Sequence, residues 1–153
     1  QCVEAVGPRL CQQRTAAPLS LLMVDLDHFK HVNDRYGHAI GDDYLRAVAR
    51  VLKTSVNRAT DLAARYGGEE FVCLLPETSA TDAQMLAERI RQGVSSMALP
   101  NELASPPHLT LSIGVATLLG GKTDAAQLLA QADEQLYAAK HAGRDRVHAV
   151  VLR

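Results

Sequence analysis

Short apolar runs and helix-period stripes alternate along this chain in an order that admits few folds. Residues 19–26 are almost wholly apolar, too few for a long helix and rich in leucine and valine. They predict a buried strand that ends on Asp25 and Asp27. Residues 29–36 predict a short helix stopped by Gly37. Gly41 opens the next segment, where Leu45, Val48, Ala49, Leu52 and Val56 recur at helical spacing and predict an amphipathic helix over 43–57. Residues 62–66 and 71–75 read as two strands joined by Gly67-Gly68-Glu69-Glu70, a hairpin signal. Pro76 closes the second strand. Thr81 with Gln84 predicts a capping box ahead of the stripe Ala83, Leu86, Ala87, Ile90, Val94 and Met97. Residues 99–107 hold three prolines and read as loop, and 108–118 as strand. Leu128, Leu129, Ala132, Leu136 and Ala139 mark a last helix ended by Gly143, and 147–152 a closing strand. At the front, helical potential around Cys2 to Arg14 is closed off by Pro18.

The central part of that order, βαββαβ, predicts an α+β fold of ferredoxin-like arrangement, a central antiparallel sheet flanked by helices. Its first strand and its hairpin would be sheet neighbours, which brings Asp25 toward Glu69 and Glu70. A chain of 153 residues fits one domain with one core, so residues 1–153 are expected to form a single unit.

A net charge of −1 gives no bulk attraction toward nucleic acid or an anionic membrane, so any bound anion must be held by a few placed cations. No apolar stretch approaches 18 residues and no signal peptide is evident. Cys2, Cys11 and Cys73 lack CxxC spacing, and Cys73 lies in an apolar run; three unframed thiols suggest a reducing, cytoplasmic compartment. The chain begins on Gln1 and is expected to be a fragment of a longer protein, whose missing part could anchor it to a membrane.

Carboxylates that meet must be relieved. Two of them about 4 Å apart repel by roughly 4 kcal/mol at an effective dielectric of 20. Hard oxygen ligands select Mg²⁺, which binds one or two carboxylates plus substrate phosphates, and two such ions can polarise a hydroxyl and stabilise a leaving pyrophosphate. Lys30, Lys140 and Arg144 are candidate phosphate donors, with the backbone N–H groups of residues 28–30 beside them. No GxxxxGK[ST] is present, so this is not a P-loop chain. Each feature also has a plainer reading. Asp42 and Asp43 could cap a helix, Asn33 could be a turn residue, and Glu69 and Glu70 an exposed hairpin tip. Lys140 and Arg144 could oppose a helix dipole, and Arg58 and Asp61 could form a loop ion pair. His28, His31 and His38 match no common zinc spacing.

Residues 67–71 read GGEEF, residues 25–45 read DLDHFKHVNDRYGHAIGDDYL, and residues 132–147 read ADEQLYAAKHAGRDRV. Together and in this order they resemble the GGDEF family of diguanylate cyclases, in its GGEEF variant. The second segment is similar to the family's D-x-D-x-F-K-x-x-N-D-x-x-G-H-x-x-G-D pattern at every specified position. The resemblance implies a fold similar to the nucleotide cyclase and polymerase palm. It implies that two GTP molecules condense into cyclic di-GMP with release of pyrophosphate, on two Mg²⁺ ions per site, with Mn²⁺ able to substitute. Asp25, the Leu26 carbonyl and Glu69 would hold metal, and Glu70 would complete that site or help deprotonate the attacking 3′-hydroxyl. Asn33 and Asp42 would read guanine, an Asp accepting from N1–H and N2–H₂ and an Asn amide both donating and accepting. Phe29, through its backbone, with Lys30, Lys140 and Arg144 would hold phosphate. A symmetric product implies a homodimer, with no nucleic-acid or membrane contact by this domain.

Arg58 and Asp61 form an RxxD motif at the family's spacing ahead of GGEEF, which implies an inhibitory site for the cyclic di-GMP product. The family's opening D-x-L-T-G-L-x-N-R-R segment is not found, which implies a fragment less active than its parent, or inactive. Two alternatives follow: a catalytically weak or inactive module serving as a cyclic di-GMP or GTP receptor, and, more remotely, another palm-like nucleotide enzyme.

Overall fold

In the computed structural model, residues 17–120 and 124–153 are described; the expected helix around Cys2 to Arg14 lies outside them. The central strand is β1 (Leu19–Leu26), buried along its whole length. Its alternate side chains enter two cores. Leu22, Val24 and Leu26 face α1 (Phe29–Tyr36), α2 (His38–Ser55) and α3 (Ala80–Ser96), while Leu19, Leu21 and Met23 face α4 (Ala125–His141). Burying each such large side chain contributes about 1.5–3 kcal/mol.

With β2 (Leu62–Arg65), β3 (Glu70–Pro76), β4 (Leu111–Leu118) and β5 (Arg146–Leu152), the sheet runs β2-β3-β1-β4-β5. The first four strands pair antiparallel in the ferredoxin-like order, and β5 adds a parallel edge beside β4, so the sheet is mixed. The α+β expectation stands, with that fifth strand extending the antiparallel centre.

Two local expectations shift. α2 begins at His38, five residues ahead of the expected start, because Gly37 alone (φ 90°, ψ 161°) separates it from α1. Residues 38–40 and 42–43 of that helix are exposed, so no apolar stripe marks its first turn. The cap of α3 is Ser79, whose side chain accepts from the Asp82 N–H at 3.1 Å; Thr81 and Gln84 lie inside the helix. Asp124 caps α4 in the same way, accepting from the Ala126 N–H at 3.0 Å.

One contact sets where α4 can place its side chains. A Cβ on Gly114 of β4 would fall 2.1 Å from the Ala132 carbonyl and 2.3 Å from the Leu136 nitrogen. The helix therefore lies against the sheet at a distance that only glycine permits. Among the described residues, no helix is long and apolar enough to cross a membrane.

Candidate active site

The β1–β3 register pairs Asp25 with Glu70, and the Leu26 N–H donates to the Glu69 carbonyl at 3.2 Å. Strand pairing thus brings together the carboxylates that the sequence pattern singles out. On the same face, α4 delivers Lys140, whose ammonium pairs with Asp25 Oδ2. Asp25 is only 2% exposed, and its other oxygen, Oδ1, is buried with no hydrogen-bond partner. Burial pushes the Asp25 carboxyl up to about 6; the Lys140 hydrogen bond and charge oppose this, and the charges of Glu70 and Asp27 add to it. Burial, then the charge of Asp25, also raises Glu69, against the pull of Lys140.

An orphaned buried carboxylate oxygen beside a second carboxylate with a raised pKa fits a divalent cation. Among the described residues no three His, Cys, Asp or Glu side chains gather at metal-holding spacing. Mg²⁺ needs only one or two carboxylates from a protein, its other ligands being water and phosphate oxygens.

The hairpin tip is organised by its own backbone and by Arg65. The Tyr66 and Gly67 N–H groups donate to the Glu70 carbonyl at 2.8 and 3.2 Å, and Arg65 Nε donates to the Gly67 carbonyl at 3.1 Å. The two glycines do not supply a left-handed turn. A Cβ on Gly68 would meet nothing within 4 Å, so the pair leaves bare backbone at the tip.

Asn33 packs over Gly41, the residue ahead of Asp42. A Cβ on Gly41 would fall 2.0 Å from Asn33 Oδ1, so the amide occupies the space above Gly41, next to Asp42. Because α2 begins at His38, Asp42 sits inside the helix and does not cap it; Asp43 pairs with Arg46 at 2.9 Å. A cavity of about 420 Å³ opens beside Asp42, lined by Leu45, Ala63, Ala64, Arg65 and Phe71 among others.

At the head of α1, His28 adopts a left-handed backbone (φ 52°), and its carbonyl accepts from Asn101 Nδ2 at 3.3 Å. Phe29 is buried and anchors the turn, and Lys30 beside it is exposed. Arg144 lies just past α4, with its N–H donating to the Ala139 carbonyl at 3.0 Å. Its charge, after burial, holds the His28 imidazole below its ordinary range. The His28 and His31 rings stack at 5.2 Å.

Arg58 and Asp61 lie elsewhere. Arg58 donates to the Pro76 carbonyl at 2.9 Å and to Thr78 Oγ1 at 3.1 Å, beside the end of β3 that pairs with Leu19. Six residue steps of strand, roughly 20 Å, separate that end from Asp25. The Arg58 N–H donates to Asp61 Oδ2 at 3.3 Å, and the Asp61 side chain is 4% exposed against 50% for Arg58. The thiol of Cys73, fully buried in β3, is pushed up to about 12 by burial and by the charge of Asp61.

Four participants escaped the sequence reading: Asp27, Arg65, Asn101 and Asp145. Only Asp27 carried a signal, as the second acid of D-x-D at the strand end. Arg65 holds the Gly67 carbonyl two residues on, while Asn101 and Asp145 act through partners that the fold alone brings near.

The family described as Diguanylate cyclase, GGDEF domain, matches residues 6–146, and the chain belongs to it. It is 45% identical over 129 residues to Diguanylate cyclase A of Treponema denticola, covering 84% of this chain and 34% of that protein. It is 46% identical over 134 residues to the Response regulator PleD of Caulobacter vibrioides, covering 85% and 29%. The chain thus spans about a third of the length of these relatives. Among solved structures, the GGDEF domain of DgcB from Caulobacter crescentus, in complex with c-di-GMP, matches with a TM-score of 0.84 and 33% identity, covering 95% of this chain and 86% of that one. The active GGEEF domain of a diguanylate cyclase from Vibrio cholerae matches with a TM-score of 0.75 and 34% identity, covering 97% and 90%.

Proposed function

We propose that this domain condenses two GTP molecules into cyclic di-GMP, releasing two pyrophosphates, as a homodimer. The observation that carries the reading is the buried strand end where Asp25 leaves one carboxylate oxygen unpartnered within reach of the charges of Glu69 and Glu70. The kinship with proteins named as diguanylate cyclases supports it, as does the DgcB complex with c-di-GMP.

The residues divide the work. Asp25, Glu69 and the Leu26 carbonyl would hold two Mg²⁺, or Mn²⁺ in their place. When bound, these cations supply charge neutralisation at the triphosphate and acidify the 3′-hydroxyl. Glu70, across from Asp25, completes that ligand set or takes the proton of the 3′-hydroxyl as it attacks the α-phosphate of the GTP on the facing domain. A new P–O bond forms there, and the bond to the β-phosphate breaks with departure of pyrophosphate. Lys140 pairs with Asp25, and its ammonium would also serve a phosphate oxygen of GTP. Lys30, Arg144 and the Phe29 backbone hold the remaining phosphate oxygens. Asn33 and Asp42 accept and donate along the guanine edge, beside the apolar cavity of α2. The two-fold symmetry of the product calls for two such sites face to face.

Arg58 and Asp61 form the product-inhibition site. Occupying it requires Arg58 to leave Pro76 and Thr78, bonds at a half-exposed side chain that together cost about 1–3 kcal/mol to break.

The test is chromatographic detection of cyclic di-GMP after incubating the chain with GTP and Mg²⁺ over a range of protein concentrations. Product that rises faster than linearly with protein is expected from a cyclase that works as a dimer. GTP binding without product would favour a receptor role.

A further inference from the structure

Asp27 is as buried as Asp25, at 3% against 2% exposure, yet its surroundings are the reverse. Its Oδ2 accepts from Thr110 Oγ1 at 2.7 Å and from the Asp145 N–H at 3.0 Å, and its Oδ1 accepts from Ser112 Oγ at 2.6 Å. Its own N–H donates to the Thr110 carbonyl at 3.0 Å. Both oxygens are committed to protein donors, so this second acid of D-x-D is an anchor and not a cation ligand.

What it anchors is a strained turn. Gly143, Arg144 and Asp145 have φ of 122°, 63° and 49°, three successive residues in the left-handed half of backbone space. For a non-glycine residue such a placement is unfavourable by about 1 kcal/mol or more and persists only where neighbours hold it. Asp145 is held from two sides. Its N–H donates to Asp27, and its carboxylate accepts from Arg91 Nη1 at 2.7 Å. Arg91 is braced in turn by Glu88 on α3. Arg144, between Gly143 and Asp145, has its N–H on the Ala139 carbonyl at 3.0 Å, while its own carbonyl accepts from Arg146 Nε at 2.9 Å.

We propose that Asp27 and Arg91 are positioning residues that grip Asp145 from opposite sides and so aim Arg144 at a substrate phosphate. The inference rests on the cyclase reading of the site. Its physical content is preorganisation: a guanidinium whose backbone is already fixed loses less freedom when it grips a phosphate. A link from α3 to the phosphate-binding turn follows, through side chains that touch neither metal nor nucleotide.

Asp27→Ala strips the acceptor from two buried hydroxyls and can unfold the chain, so Arg91→Gln carries the test. GTP and guanosine binding are measured on the whole chain for wild type, Arg91→Gln, Arg91→Lys, Arg144→Ala and the Arg91→Gln/Arg144→Ala double variant. Arg91→Gln is expected to weaken GTP about threefold to tenfold, to leave guanosine unchanged, and to add nothing once Arg144 is alanine. Arg91→Lys, which keeps a donor toward Asp145, recovers part of the loss. Unchanged GTP affinity, equal weakening of GTP and guanosine, or additive losses in the double variant would each overturn the proposal. Wild type that binds guanosine no more weakly than GTP would overturn the phosphate role of Arg144, and the proposal with it. Wild type that binds neither would overturn the cyclase reading itself.

Discussion

β1 carries buried polar groups near both ends, and the two ends are finished differently. Near the start, Ser20 Oγ donates to the Thr78 carbonyl at 2.8 Å and shares a 2.8 Å hydrogen bond with Thr117 Oγ1, while the Thr78 N–H donates to the Pro18 carbonyl at 3.0 Å. Those partners come from within the fold. Near the finish, Asp25 has Lys140 on one oxygen and nothing on the other, with Glu69 and Glu70 crowding it. The strand, its two neighbours and the depth of burial are common to both. Buried polar groups are normally paired, and each unpaired one costs about 1–3 kcal/mol. Of β1's own polar side chains, Ser20 is fully paired and serves the fold, while Asp25 keeps an oxygen open to charge from outside.

The two ends differ most at the carboxylates. Glu69→Ala or Asp25→Ala is expected to cut cyclic di-GMP synthesis by about 10³-fold or more, measured by chromatography. Activity within about tenfold of wild type would remove these residues from the cation site.

The same carboxylates should make the ligand-free chain sensitive to pH. Folding raises Asp25 from 3.8 to about 6, so the folded chain holds that proton more tightly than the unfolded one. The stability this contributes is complete below about pH 4 and is lost as pH rises through 6; Glu69 shifts in the same direction. For Asp25 the swing is on the order of 2–3 kcal/mol. Urea unfolding between pH 4 and 7.5 in the presence of a chelator should show wild type losing stability relative to Asp25→Asn as pH rises. Parallel curves would mean that the buried carboxylate carries no such penalty.

Gly114→Ala tests whether the close approach of α4 places Lys140. The new Cβ would meet backbone atoms that cannot yield by rotation, so a loss of about 1–3 kcal/mol is expected, together with weaker GTP binding. A variant as stable and as tight as wild type would separate that contact from the site. The smallest effect belongs to the far end. Arg58→Ala should lower stability by only about 1 kcal/mol and relax inhibition by cyclic di-GMP while GTP affinity holds. Unchanged inhibition would leave Arg58 as a staple to Pro76 and Thr78.

Much of this is legible in the sequence alone. Apolar periods and turn residues mark every strand and helix of the described residues, missing by five positions only at the start of α2, and the βαββαβ order brings Asp25 toward Glu69 and Glu70. Local chemistry misled where it is degenerate: Ser79, Thr81 and Asp82 all suit a helix start, and only the fold shows that Ser79 takes the cap. The start of α2 was hidden because its first turn is solvent-facing and carries no stripe. Long-range partners were out of reach for a different reason. Lys140 on Asp25, Asp145 on Asp27 and Asn101 on His28 join residues 115, 118 and 73 positions apart. Only packing, such as α4 seated on Gly114, decides such meetings.

The most direct measurement is the melting temperature of the chain against GTP concentration, with Mg²⁺ and with a chelator, for wild type and Asp25→Asn. A site built for cation and triphosphate together predicts that Mg²⁺ adds a GTP-dependent rise in wild type, following ligand linkage, and adds none in Asp25→Asn. An equal Mg²⁺-dependent rise in both proteins would contradict the account, because the unpartnered carboxylate at the end of β1 would then have no part in holding the cation.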